Sequence, residues 1–158
     1  MSDSALAPIL ICFDGSDNAK RAIEQAARVL GKRDATVLHV WDSGWRSLMA
    51  FGGPELTPVV DVDNLERASK ERSDRIVAEG VTLAQAAGFN ATAVSRETSD
   101  KVWQTVVEVA DADDAAIIVI GTRGLSTPRS LLMGSVSIAI IHHCARPVLV
   151  VPATTHSD

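Results

Sequence analysis

Aromatic side chains are scarce in this chain. They make up 4% of 158 residues, against 46% apolar residues overall. A core must therefore come from Val, Ile, Leu and Ala, a diet that suits parallel sheets covered by helices. Cysteine is nearly absent. Cys12 and Cys144 are the two, and neither belongs to a C-x-x-C pair, which excludes a zinc or dithiol site of that type. Both are expected to be reduced packing residues. Long apolar runs are missing too: none approaches the ~20 residues needed to span a bilayer. Met1 to Pro8 has neither a basic n-region nor an apolar h-region, so no signal peptide is expected and a cytoplasmic location is. Net positive charge is also lacking. The formal value of −5 argues against a general binder of nucleic acid or anionic membrane. The length suits one domain spanning 1–158 with a core over 9–151.

Signatures of rapid chemistry are absent as well. There is no G-x-x-x-x-G-K-(S/T) phosphate loop, no H-E-x-x-H and no G-x-S-x-G. His142 and His143 fall near a predicted helix C-terminus, where a protonated imidazole favours the dipole. His39 lies in a predicted strand and reads as packing.

What is present alternates. Ile9 to Phe13 is a continuous apolar run that stops at Asp14-Gly15-Ser16-Asp17, a turn leading into a helix cap. Ala19, Ala22, Ile23, Ala26, Ala27 and Leu30 then recur at helical spacing, closed by Gly31. Ala35 to Trp41 reads as a second strand. The segment from Asp42 to Asp61 has no clear period, and its length marks it as a functional or mobile loop, a lid or partner site, or packing over the sheet edge. Leu65 to Ala87 is helical, with Gly80 as a defect and Gly88 as its stop. Ala91 to Arg96 is a short strand, and Asp100 caps a helix to about Ala110. Ala115 to Ile120 is an apolar strand, Ser135 to Cys144 a last helix and Pro147 to Pro152 a last strand. Strict alternation predicts a doubly wound α/β fold: a parallel sheet with right-handed crossovers and helices on both faces. Ligands in such folds sit beyond the carboxyl ends of the strands.

The strand ending at Ile120 is followed by Gly121-Thr122-Arg123-Gly124, nine residues, and Gly134-Ser135. Glycines there let backbone amides approach an anion. The helix opening at Ser135 offers free N–H groups and a positive dipole end. Acids are missing from the same region. Between Ala115 and Ser157 there is no Asp or Glu, where 20 acids in 158 residues would place about five. Arg123, Arg129 and Arg146 lie inside that stretch. Asp14 closes the first strand at the same end of the sheet and is placed to accept ribose hydroxyls, as acids do in other dinucleotide folds. It equally suits a turn before Gly15.

Together these residues resemble the universal stress protein family, over nearly the whole chain from Ile9 to Val151. The family's nucleotide-binding members carry G-2x-G-9x-G-(S/T), complete here at Gly121, Gly124, Gly134 and Ser135. The Asp14-Gly15-Ser16 turn, the His39-Val40 strand end and the closing Arg146 to Val151 also match. The resemblance implies an adenine nucleotide alpha-hydrolase-like fold with a five-stranded sheet of order 3-2-1-4-5, and bound ATP with Mg²⁺. In that reading Asp14, with Gly15 and Ser16, meets the ribose side, and Val40 meets adenine. Ile120 and Gly121 flank the nucleotide. Gly124, Gly134, Ser135 and Val136 hold phosphates through backbone amides, and Arg123 and Arg129 stand by them. The resemblance also implies a homodimer through the apolar edge strand Val148–Val151. Other readings are a cyclic AMP or other adenine nucleotide binder, a slow ATPase or autophosphorylating protein, and a dimeric scaffold with a structural nucleotide. An ATP pyrophosphatase fits less well, because its S-G-G-x-D-S loop lacks a counterpart: the doubled glycine is absent from Asp14-Gly15-Ser16-Asp17.

Overall fold

The computed structural model describes residues 6–44, 61–98, 100–124 and 133–154. Strands and helices alternate along them: β1 (Ile9–Cys12), α1 (Asp17–Leu30), β2 (Asp34–Trp41), α2 (Val62–Ala86), β3 (Asn90–Glu97), α3 (Val102–Ala112), β4 (Ile117–Gly121), α4 (Ser135–His143) and β5 (Val148–Val151). All ladders are parallel and the strand order is β3-β2-β1-β4-β5. The expected sheet is the sheet found. Most of the expected loop from Asp42 to Asp61, residues 45–60, lies outside the described residues.

The apolar runs of β1 and β4 become the centre of the sheet because they are covered on both faces. On one face Ile9, Ile11, Phe13, Val37 and Val119 pack against α1 and α2. On the other, Leu10, Leu38, Ile118 and Ile120 pack against α3 and α4 through Val106, Val109 and Ile140. Edge strand β3 is mostly open to solvent and correspondingly polar.

Gly80 is not a defect in α2. A Cβ built there would lie 2.7 Å from the Phe13 ring and 2.9 Å from Val37. The missing side chain is what lets α2 approach the sheet. The helix also begins earlier than its apolar spacing suggests, because Asp61 caps it through the Asn64 N–H at 3.1 Å. The helix after β3 is not capped by Asp100. Lys101 holds the cap position with no side-chain bond. The fourth strand starts at Ile117, since Ala115 N–H is still engaged by the Ala110 carbonyl at 2.9 Å.

Arg146 is engaged at the α3–β4 turn and not at the glycine loop. Its guanidinium pairs with Asp111 at 2.8 Å and Asp114 at 3.2 Å, and donates to the Ala115 carbonyl at 2.5 Å. It clasps the α3–β4 turn to the start of β5, where the acids that neutralise it lie just ahead of the acid-free stretch.

Candidate nucleotide site

A cavity of about 340 Å³ opens at the carboxyl ends of β1, β2 and β4, within the usual size of a small-molecule site. Its floor and sides are apolar, from Leu38, Val40, Val102, Val106, Ile120 and Ile140. Polar groups gather at one end: Asp14, Gly121, Arg123 and Gly124 from the loops, and Gly134, Ser135, Val136 and Ser137 from the start of α4. Among the described lining residues, Asp14 is the one carboxylate and Arg123 the one guanidinium.

The loop after β4 is shaped by close approach. A Cβ at Gly124 would lie 2.6 Å from Asp14 Oδ2, and one at Gly121 would lie 2.8 Å from the Asn18 side chain. Only glycine lets this loop lie against the β1 turn and the first turn of α1. Asp14 in turn accepts from Ser16 N–H at 2.9 Å, the Asx turn that brings the chain into α1. Helix α4 begins at Gly134, an N-cap residue with no side chain to offer. The amides of its first turn therefore lack the usual capping oxygen, at the positive end of the helix dipole.

Beyond β1 the edge of β2 is open. Residues of a parallel strand turn their N–H and C=O alternately to the two neighbours. Phe13 N–H donates to the Leu38 carbonyl at 2.8 Å, whereas Trp41 accepts from Thr98 on the other side at 2.8 Å. Val40 therefore presents both its N–H and its C=O towards β1, which has already turned away at Asp14. The Phe13 carbonyl is met by His39 Nδ1 at 2.8 Å. A carbonyl only accepts, so Nδ1 carries the proton. Burial lowers the His39 pKa below its ordinary value, with the Phe13 bond and Asp14 opposing and Arg72 adding to the shift. At neutral pH the ring is uncharged. Cys12, at the cavity floor, has its thiol pushed up to about 12 by burial and then by Asp14.

A family model described as the universal stress protein family matches residues 6–152. This chain belongs to the universal stress protein family. It is 29% identical over 143 residues to a universal stress protein of Thermus aquaticus, encoded in the QAH/OAS sulfhydrylase 3′ region, covering 90% of this chain and 96% of that one. The fold matches universal stress protein UspA from Lactobacillus plantarum with a TM-score of 0.72 at 21% identity, over 92% of this chain and 97% of that one. It matches the universal stress protein from Archaeoglobus fulgidus in complex with dAMP with a TM-score of 0.62 at 23% identity, over 93% and 98%.

Within this family member, the cavity brings together Asp14, Val40, Ile120, Gly121, Arg123, Gly124, Gly134, Ser135 and Val136. Gly15 and Ser16 are not on its wall. Gly15 makes the turn at φ +82°, and the Ser16 hydroxyl caps α1 by accepting from Ala19 N–H at 3.2 Å. Arg129 lies outside the described residues. The expectation for Gly134 needs correction: its N–H donates to the Thr122 carbonyl at 2.6 Å, so the amides left open at the helix start are those that follow it.

Sequence reasoning missed the residues that hold the loop. Asn18 Oδ1 accepts from Arg123 N–H at 2.9 Å and from the Thr122 hydroxyl at 3.3 Å, while its Nδ2 donates to the Val151 carbonyl at 3.1 Å. Ser137 Oγ donates to the Gly121 carbonyl at 2.9 Å. The only local signal is a polar residue on the apolar side of each helix. Among the described residues no group of three or more His, Cys, Asp or Glu is placed to hold a metal, and no helix is long and apolar enough to cross a membrane.

Proposed function

We propose that this universal stress protein binds ATP in the cavity between β1, β2 and β4 and acts in stress response or signalling as a nucleotide-regulated homodimer. The observation that carries this reading is the cavity's division of labour. An apolar slot ends in an open strand edge at Val40, and the opposite end holds a close-packed glycine loop and an uncapped helix start. The first suits a purine and the second a polyphosphate. Asp14, at the polar end beside Gly124, is assigned to the ribose in this reading, and the complex of the Archaeoglobus fulgidus relative with dAMP supports an adenine nucleotide. A divalent cation has no protein cage among the described residues, so Mg²⁺ in this reading arrives on the triphosphate. Among the described residues nothing beside the loop is arranged as nucleophile and base, which favours binding over rapid turnover in this reading. For the dimer, β5 is an edge strand in which Val148, Leu149 and Val150 are half-buried, and α4 exposes Ile138 and Ile141. Open apolar edges invite pairing.

The test is Gly134→Asp. The backbone there is extended, with φ −75° and ψ 156°, which any residue adopts. An Asp at this N-cap satisfies the first-turn amides of α4 and stabilises the helix by a few tenths of a kcal/mol relative to Gly. It also puts a negative charge where phosphate binds. The variant is expected to keep or slightly raise its melting temperature without ligand and to lose ATP affinity by about 100-fold. ATP binding at wild-type affinity in this folded variant contradicts the placement of the phosphates.

A further inference from the structure

We infer that His39 is a positioning residue that holds the strand edge open for the base, by taking the Phe13 carbonyl that would otherwise bind the Val40 amide. The inference rests on the nucleotide reading above and gives it a specificity element.

In a regular parallel ladder the residue that follows the last paired position donates its N–H to the neighbouring strand's carbonyl. Phe13 sits at that point. Its N–H is already bonded to Leu38 O at 2.8 Å, so the regular continuation is Val40 N–H to Phe13 O. Among the described residues no such backbone bond is made. The imidazole of His39 occupies the Phe13 carbonyl instead, at 2.8 Å. A side chain has thus replaced a ladder bond at the very residue where β1 departs for the Asp14 turn.

Two consequences follow. The Phe13 carbonyl stays satisfied although it is half enclosed, avoiding the cost of a buried orphan acceptor. The N–H and C=O of Val40, which lines the cavity, are left side by side on the open edge. A donor next to an acceptor matches an adenine edge, which carries the N6 amino donor beside a ring-nitrogen acceptor. The polyphosphate end of the cavity makes no use of this pair. His39 is therefore assigned to base recognition rather than to phosphate binding. The groups facing the ring are the Phe13 carbonyl and Asp14 from the end of β1 and Arg72 from α2.

The substitution that tests this is His39→Leu, which removes the donor and leaves Val40 N–H as the nearest replacement. His39→Asn serves as the conservative variant, since its Nδ2 occupies the place of Nδ1 and still donates. Nucleotide-free protein is first followed by amide hydrogen exchange. In the wild type and in His39→Asn, Val40 N–H exchanges faster than Leu38 N–H; in His39→Leu, Val40 becomes protected. Binding of ATP and of inorganic tripolyphosphate is then titrated. ATP affinity falls about tenfold in His39→Leu, the size of one or two hydrogen bonds, and stays within about threefold in His39→Asn. Tripolyphosphate affinity stays within about twofold in both. The inference is overturned if Val40 N–H is as protected as Leu38 in the free wild type, or if His39→Leu binds ATP like the wild type. It is equally overturned if ATP and tripolyphosphate weaken in proportion. Failure of the wild type to bind any nucleotide would defeat the functional reading instead, while the exchange experiment still reports on His39.

Discussion

Replacing Asn18 by Ala should loosen the glycine loop without touching the cavity's own surface. Asn18 is buried, at 8% exposure, in the first turn of α1. Its amide joins that turn to Thr122, Arg123 and Val151, residues more than a hundred positions away. The Val151 carbonyl keeps a second donor, Thr122 N–H at 3.0 Å, and the Thr122 hydroxyl keeps its bond from Ala153 N–H at 3.0 Å. Those two losses are worth about 1 kcal/mol or less each. The Arg123 amide loses its acceptor in a partly buried site, worth about 1–3 kcal/mol. Better helix propensity of Ala returns about 0.5 kcal/mol. The net destabilisation is about 2 kcal/mol, or about 4–8 °C in Tm for a chain of this size. Urea unfolding is the assay, with an unchanged m value showing that only stability has moved. ATP affinity should fall alongside, because the loop that carries Gly121 and Gly124 is no longer held at both ends. A stability loss below about 0.5 kcal/mol would refute the view that Asn18 fixes the loop. Asn18→Asp should not rescue, because it sets a carboxylate oxygen against the Val151 carbonyl.

Gly80→Ala is expected to destabilise, although Gly to Ala inside a helix ordinarily stabilises by about 0.5–1 kcal/mol. The added methyl meets Phe13 and Val37 under 3.0 Å, and overpacking of that kind costs about 1–3 kcal/mol; thermal melts showing a gain would contradict the packing. Cys12 should resist alkylation by iodoacetamide at pH 8. A thiol held near 12 instead of 9.0 carries about a thousandfold less thiolate there, so labelling as fast as a free thiol would contradict its burial. The same shift has a pH signature. Because the folded-state pKa is raised, the stability it contributes is complete below about pH 9 and lost as pH rises from there towards 12; urea midpoints that hold constant over that window in the wild type and fall no further than in Cys12→Ala would count against it.

The sheet was legible because its central strands are read on both faces. A run such as Ile9 to Phe13 has no alternation to interpret, and its neighbours in sequence are capped helices with clear apolar spacing. Element ends were less legible where the cap chemistry was not the obvious one, as at Lys101. The loop beside the cavity was legible through its glycines, since Gly121 and Gly124 stand where backbone must approach closely. What the spacing could not show was how the loop is held. Asn18 acts across 104 to 133 positions of chain, and Ser137 across 16, so each looks like an ordinary polar residue on a helix. Adjacency misled in the opposite direction. Gly15 and Ser16 follow Asp14 in sequence but serve the turn and the helix cap. Arg146, counted among the cations near the phosphates, is committed to Asp111 and Asp114. His39, read as packing, bonds the carbonyl at which the β1–β2 ladder ends.

The most direct test of nucleotide binding is thermal stabilisation by ATP, ADP, AMP and cyclic AMP, each with and without Mg²⁺. A ligand at 100 times its Kd adds about 2.7 kcal/mol, or about 5–11 °C for a chain of this size. A shift of that order is expected with ATP, strengthened by Mg²⁺ and abolished by Gly134→Asp. No shift with any of the four nucleotides, at millimolar concentration and in either buffer, would contradict it.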